Sequence, residues 1–171
     1  MGVPNGYTSA QVVQGIPIPS GIIQVVQTFK SNTFTSTSTS YVDITDLSVT
    51  ITPTSSSNKI LIMSVVNGSG VAAQGSLSLQ LLRGATVIGS GDTAGSRSAG
   101  YVEIDASTGN NHPSTGIYLD SPATTSATTY KIQAKMVAGS GTWVINRSPT
   151  DTDNVSYQRT SSTITVMEVK V

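Results

Sequence analysis

The sequence contains no cysteine, so neither a disulfide nor a thiolate metal site can hold this chain together. Charge is scarce as well: Asp, Glu, Lys and Arg make up 11% of the 171 residues and balance to a formal net charge of zero. No field of one sign is available to draw in a phosphate backbone or an anionic lipid surface, so nucleic acid and membrane are not expected partners. The single histidine, His112, cannot build a zinc site alone in a chain without cysteine. No apolar run approaches the roughly 18 residues that span a bilayer. Residues 1–6 do not pair a basic segment with an apolar one, so no signal peptide is expected. The helical apolar period is not kept over three turns anywhere, and no unit of fixed length recurs.

What the sequence has in abundance is hydroxyl: 26 Ser and 24 Thr, 50 of 171 residues. Thr suits exposed strand faces and Ser suits turns, so the surface draws its polarity from hydroxyls rather than charges. Apolar residues are 37% and gather in strand-like runs, which a disordered chain lacks. A neutral surface gives little colloidal repulsion, a liability for a free monomer and tolerable for a subunit that lives assembled.

Two segments differ in character. Residues 1–21 carry Pro4, Pro17 and Pro19 among Gly6, Gly15 and Gly21, which rules out a long helix and interrupts any sheet. Their apolar content (Val3, Pro4, Tyr7, Val12, Val13, Ile16 and Ile18) is too high for an inert linker, and an extended arm that docks on another protein is expected. Residues 22–171 read as one head domain.

Within the head, 22–29 is a mostly apolar strand and 32–40 a polar loop or edge strand. Over 41–51, Val42 and Ile44 share one phase and Leu47, Val49 and Ile51 the other, which predicts a β-bulge near Thr45–Asp46. Residues 53–58 make a turn, and 59–66 is apolar in both phases, as in a central strand covered on each side. Such a strand in a sandwich implies that a second subunit covers the outer face. Leu77, Leu79 and Leu81 line one strand face, and Arg83-Gly84 turns a hairpin into 85–89. Further strands are expected at 101–105, 116–119, 130–137, 143–145 and 163–171, with polar loops at 107–114 and 146–158. About eight to ten short antiparallel strands define an all-β fold, a sandwich or jelly roll.

No catalytic constellation emerges. Serines abound, but only His112 could serve as their base and no Gly-x-Ser-x-Gly elbow is present. No lysine followed by Ser or Thr closes a glycine-rich phosphate loop, and no cofactor is expected. Asp151, Asp153 and Asn154 place oxygens loosely like a calcium loop but lack its glycine and bidentate glutamate, so a solvated turn is expected instead. Glu103 and Asp105 share a strand face; glycoside hydrolysis would need two carboxylates facing each other about 5 to 9 Å apart. Trp143 belongs to the core, while Tyr101, Tyr118 and Tyr157 are candidates for a subunit interface, where tyrosine is favoured. Ile60, Ile62 and Val169 join that expected interface.

Several strand motifs occur in a telling order: Ile22-Ile23-Gln24-Val25-Val26-Gln27-Thr28, Ser38-Thr39-Ser40-Tyr41-Val42-Asp43-Ile44, Leu47-Ser48-Val49-Thr50-Ile51-Thr52-Pro53 and Ser57-Asn58-Lys59-Ile60-Leu61-Ile62. Thr129-Tyr130-Lys131-Ile132-Gln133-Ala134 and Ser162-Thr163-Ile164-Thr165-Val166-Met167-Glu168-Val169 follow. Together, over 22–171, they resemble a family of phage virion proteins described as decoration, head-fibre or tail-fibre proteins. The resemblance implies a jelly roll similar to the trimeric tumour-necrosis-factor-like heads, one sheet of each subunit packing around a three-fold axis. It carries no catalytic residues. It implies a non-enzymatic virion protein on the outer surface of the capsid or on an attached fibre. The first expectation is a capsid decoration (cement) homotrimer whose arm grips the major capsid protein or another virion protein. The alternative is the receptor-binding knob of a short head or tail fibre, touching a host surface glycan.

Overall fold

The computed structural model describes residues 21–71, 75–105, 110–137 and 141–171. Eleven strands are found among them: β1 (Ile22–Lys30), β2 (Phe34–Ser36), β3 (Val42–Ile51), β4 (Lys59–Gly70), β5 (Ser76–Arg83), β6 (Thr86–Ile88), β7 (Val102–Asp105), β8 (His112–Asp120), β9 (Thr128–Met136), β10 (Trp143–Ile145) and β11 (Ser162–Val169). All pairings are antiparallel. One sheet runs β1-β11-β4-β8, with β10 and β2 continuing past β11 along the far half of β4. The other runs β3-β9-β5, with β6 and β7 sharing the outer edge of β5. The chain crosses from sheet to sheet at β2–β3, β3–β4, β4–β5, β7–β8, β8–β9 and β9–β10, as in a jelly roll. The all-β sandwich expected from the sequence is the fold.

Strand alternation builds the core. Ile60, Ile62 and Val66 of β4 and Ile164 and Val166 of β11 point inward from one sheet. Leu77, Leu79 and Leu81 of β5 and Tyr130, Ile132, Ala134 and Met136 of β9 meet them from the other. Each fully buried large apolar side chain contributes about 1.5–3 kcal/mol relative to an exposed one. Trp143 is fully buried as expected, tilted against Phe34 at a 5.5 Å centroid separation, with its ring nitrogen donating to the Ser38 carbonyl. The bulge expected near Thr45–Asp46 is present: the β3–β9 register shifts between Asp43 and Ser48, and Asp46 takes a φ of 61°. The Arg83 hairpin is also there, with Gly84 at a φ of 59°.

Two strands are longer than the sequence suggests. β4 continues through Asn67, Gly68, Ser69 and Gly70 because β10 pairs along it. At Gly68 an added Cβ would lie only 3.1 Å from Ile104 and Ile145, so glycine there serves close packing. β8 begins at His112 rather than Gly116, because the polar stretch 112–115 follows β4 in register as an edge strand, where Pro113 is tolerated.

Buried polar clusters tie the two ends. At the end where residue 21 enters β1, the fully buried Glu168 carboxylate accepts from Gln24 Nε2 (2.6 Å), Asn58 Nδ2 (2.6 Å), and the Thr54 backbone N–H (2.7 Å) and hydroxyl (2.8 Å). At that same end Asp120 accepts from Arg83 through both carboxylate oxygens and from the Tyr130 hydroxyl at 2.7 Å, bridging the sheets. At the opposite end, buried Asn146 takes a φ of 64° and donates to the Lys30 and Asn32 carbonyls. Its own Oδ1 accepts from Ser162 at 2.6 Å.

Burial alone would raise the Glu168 pKa; the hydrogen bonds from Asn58, Gln24 and Thr54 outweigh it and bring it down from 4.5 to about 2. A folded-state pKa below the unfolded one stabilises fully above about pH 4.5 and fades as pH falls toward 2. Glu168→Gln is therefore expected to flatten stability against pH between those limits, read from urea midpoints across an acid series. A second expectation comes from Gly116, whose added Cβ would overlap the Tyr101 ring. Gly116→Ala should lower the urea midpoint by the equivalent of about 1–3 kcal/mol with an unchanged denaturant slope.

Candidate functional site

The outer face of the sheet β1-β11-β4-β8 has an unusual composition. Inward and outward residues alternate, so the phase left outside on β4 is Leu61, Met63, Val65 and Asn67. Pairing carries this phase across all four strands in rows. Val25, Met167, Leu61 and Leu119 form the first; Gln27, Thr165, Met63 and Ile117 the second; Phe29, Thr163, Val65 and Thr115 the third. No side chain in the three rows is charged. Phe29 is 62% exposed, Ile117 61%, Val25 54% and Leu119 48%, with Met63 and Val65 exposed beside them. Polarity comes only from hydroxyls and one amide, Gln27, which donates to Thr165 at 2.8 Å. A contiguous apolar face of this kind marks an interaction surface.

The sequence-based expectations fall on this picture unevenly. Ile60 and Ile62, expected at a subunit interface, are fully buried in the chain's own core. The reason is the two-residue period: they share a phase with Val66, and it is the other phase of the same run that lies outside. Tyr101 is half-buried inside the chain, lying over Gly116 with its hydroxyl directed at Ser64, and burial pushes that hydroxyl's pKa up. Tyr118 is also half-buried, and an added Cβ at Gly89 would sit 3.0 Å from its ring. Val169 does lie on the outer face, paired with Ile22 and Lys59 at its rim. Tyr157 lies in the loop 146–161, at the end of the sandwich opposite residue 21. The arm residues Val3, Pro4, Tyr7, Val12, Val13, Ile16 and Ile18 lie outside the described residues.

The face is formed by Val25, Phe29, Leu61, Met63, Val65, Ile117, Leu119 and Met167, none of which the sequence singles out as an interface residue. The available signal was the doubly apolar run 59–66, which announces two apolar faces without saying which phase is inside.

The other candidate chemistry is arranged as structural polar contacts. Asp151 is held by Arg159 at 2.6 Å, with the Arg147 guanidinium 3.8 Å away. Glu103 and Asp105 are both exposed on β7. Among the described residues no group of three or more His, Asp or Glu side chains is placed to hold a metal ion, and no helix is long and apolar enough to cross a membrane.

No family model and no curated protein matches the chain. Among solved structures, one titled as the structure of infectious bursal disease virus Gx strain aligns over 85% of this chain and 40% of that one, at 15% identity and a TM-score of 0.40. This chain thus spans less than half the length of that structure's chain, and a likeness at this level carries no argument about function. The class is set by the chain itself: a jelly-roll β-sandwich with one apolar outer face.

Proposed function

We propose that this protein is a structural subunit of a phage-type virion that works by assembly and not by catalysis. It forms a homotrimer through the face of β1-β11-β4-β8, packed around a three-fold axis, and decorates the capsid. Residues 1–21 are the arm that anchors it to the major capsid protein or another virion protein. The observation that carries this reading is the apolar face spanning four strands, whose three rows carry no charge.

A second copy is the partner that suits this face best. The three rows bring no charge, so copies of the face meet without like-charge repulsion. The chain's zero net charge works the same way at longer range. The resemblance to trimeric phage heads supplies the three-fold symmetry. The arm supplies the anchor: it joins the head at Ile22, beside Val169 and Lys59, so all three arms leave from one end of such a trimer. Three weak attachments on one body multiply through effective concentration. The fibre-knob reading shares the same trimer and is favoured by one feature, a polar cleft at the end opposite the arms.

The full-length chain is expected to sediment at three times its 17.6 kDa mass. Ile117→Lys, at a site exposed in the single chain, should raise the concentration needed for assembly at least about a hundredfold, because it forces an unpaired cation into each contact. Removing residues 1–21 should leave the mass a trimer's and abolish binding to virions stripped of the protein. A monomer at micromolar concentration would sink the assembly reading. A trimer that ignores capsids and binds tails or host cells would replace decoration with the knob.

A further inference from the structure

The strands β4, β8, β10 and β11 bring two loops together at the end of the sandwich far from residue 21. Residues 146–161 connect β10 to β11, and residues 110 and 111 lead into β8. A hollow of about 410 Å³ lies within the first loop, and an adjoining one of about 240 Å³ lies between the two loops; they share Ser148 and Gln158. The larger alone falls within the roughly 300–1,000 Å³ usual for small-ligand sites. We propose that this cleft binds a neutral saccharide unit.

Four observations point to that class. The first is the wall chemistry. Asn111, Asn154 and Gln158 contribute side-chain amides, and Ser148 and Ser156 contribute hydroxyls. Amides both donate and accept, which matches sugar hydroxyls that do the same. The second is charge. Asp151 and Asp153 are offset by Arg159 on the wall and Arg147 behind it, so the cleft attracts neither anions nor cations strongly. The third is Tyr157, 39% exposed on the wall, which offers an aromatic surface to the C–H face of a pyranose. The fourth is Asn111 Oδ1, a buried acceptor without a partner, while its Nδ2 donates to Thr160 at 3.4 Å. Leaving such an acceptor unmet costs about 1–3 kcal/mol.

The cleft is also set before any ligand arrives. Ser148 N–H donates to the Gln158 carbonyl, Tyr157 N–H to the Asn154 carbonyl, and Ser156 N–H to Asn154 Oδ1. Arg159 clamps Asp151, and buried Asn146 fixes the root of the loop. Little ordering entropy is left for binding to cost, the condition under which a small polar ligand binds measurably. The inference does not rest on the assembly reading, since every wall residue comes from one chain.

Saturation-transfer NMR on the full-length protein tests it, with D-glucose, D-galactose, D-mannose and N-acetyl-D-glucosamine as probes. Transfer to at least one of the four is expected. Tyr157→Ala should weaken it about tenfold, the loss of one aromatic contact, and Asn111→Ala should weaken it independently. Both variants must keep the sedimentation mass and melting temperature of the parent. That control separates a lost site from a lost fold and leaves the assembly reading to stand or fall by itself. No transfer to any of the four sugars, or transfer undiminished in both variants, overturns the proposal. So does binding of a peptide in place of all four.

Discussion

Everything in this molecule depends on the two-residue alternation of its strands meeting a sequence that is apolar in both phases. In β4 one phase, Ile60, Ile62 and Val66, closes the sandwich, and the other, Leu61, Met63 and Val65, is left facing out. A single pair of sheets can cover only one face of each. The pairing of β1, β11, β4 and β8 then aligns the surplus into rows, so what would be scattered exposed side chains becomes one continuous surface. The jelly roll solves the folding problem of this sequence and leaves over an exposed apolar face whose three rows carry no charge.

The polar clusters complement that arrangement. A chain with few charges still buries several, and each is accounted for at a strand end. Glu168 is held by amide, hydroxyl and backbone donors rather than by a cation, Asp120 has Arg83 and Tyr130, and Lys30 donates to Asn32 Oδ1. Breaking such clusters by removing one partner is costly because the rest stay buried. They fix strand register at the end where residue 21 enters. Asn146 and Ser162 do the same at the opposite end, and so set the shape of the cleft. The two ends thus acquire different characters: a carboxylate-tied end where residue 21 enters β1, and an opposite end lined by amides and hydroxyls.

Much of this was legible in the residues. Strand positions, the bulge at Asp46, the Arg83 hairpin and the burial of Trp143 all follow from alternation, turn chemistry and aromatic burial, which act over a few residues. β4 beyond Val66 and β8 before Gly116 have the polar or small residues of loops; they are strands because a long partner runs beside them. Tyr101 and Tyr118 looked like surface residues by type, yet each is paired with a glycine, Gly116 and Gly89, distant in sequence. Contacts of that range leave no local trace.

The sequence by itself determined the all-β class, the order of the strands and the existence of more apolar strand surface than one sandwich can bury. Those properties are set by residue type and two-residue period, which every neighbour in the chain shares. Only the tertiary structure decided which phase went inside, because reversing a strand's facing leaves its pattern unchanged, and the choice is made by the opposing sheet. It alone decided that Val25, Phe29, Met63 and Ile117 share one face and that Asn111 meets Ser156 and Gln158 across a hollow. Those residues are brought together by register and by loop closure across the whole chain, and no short window of sequence encodes either.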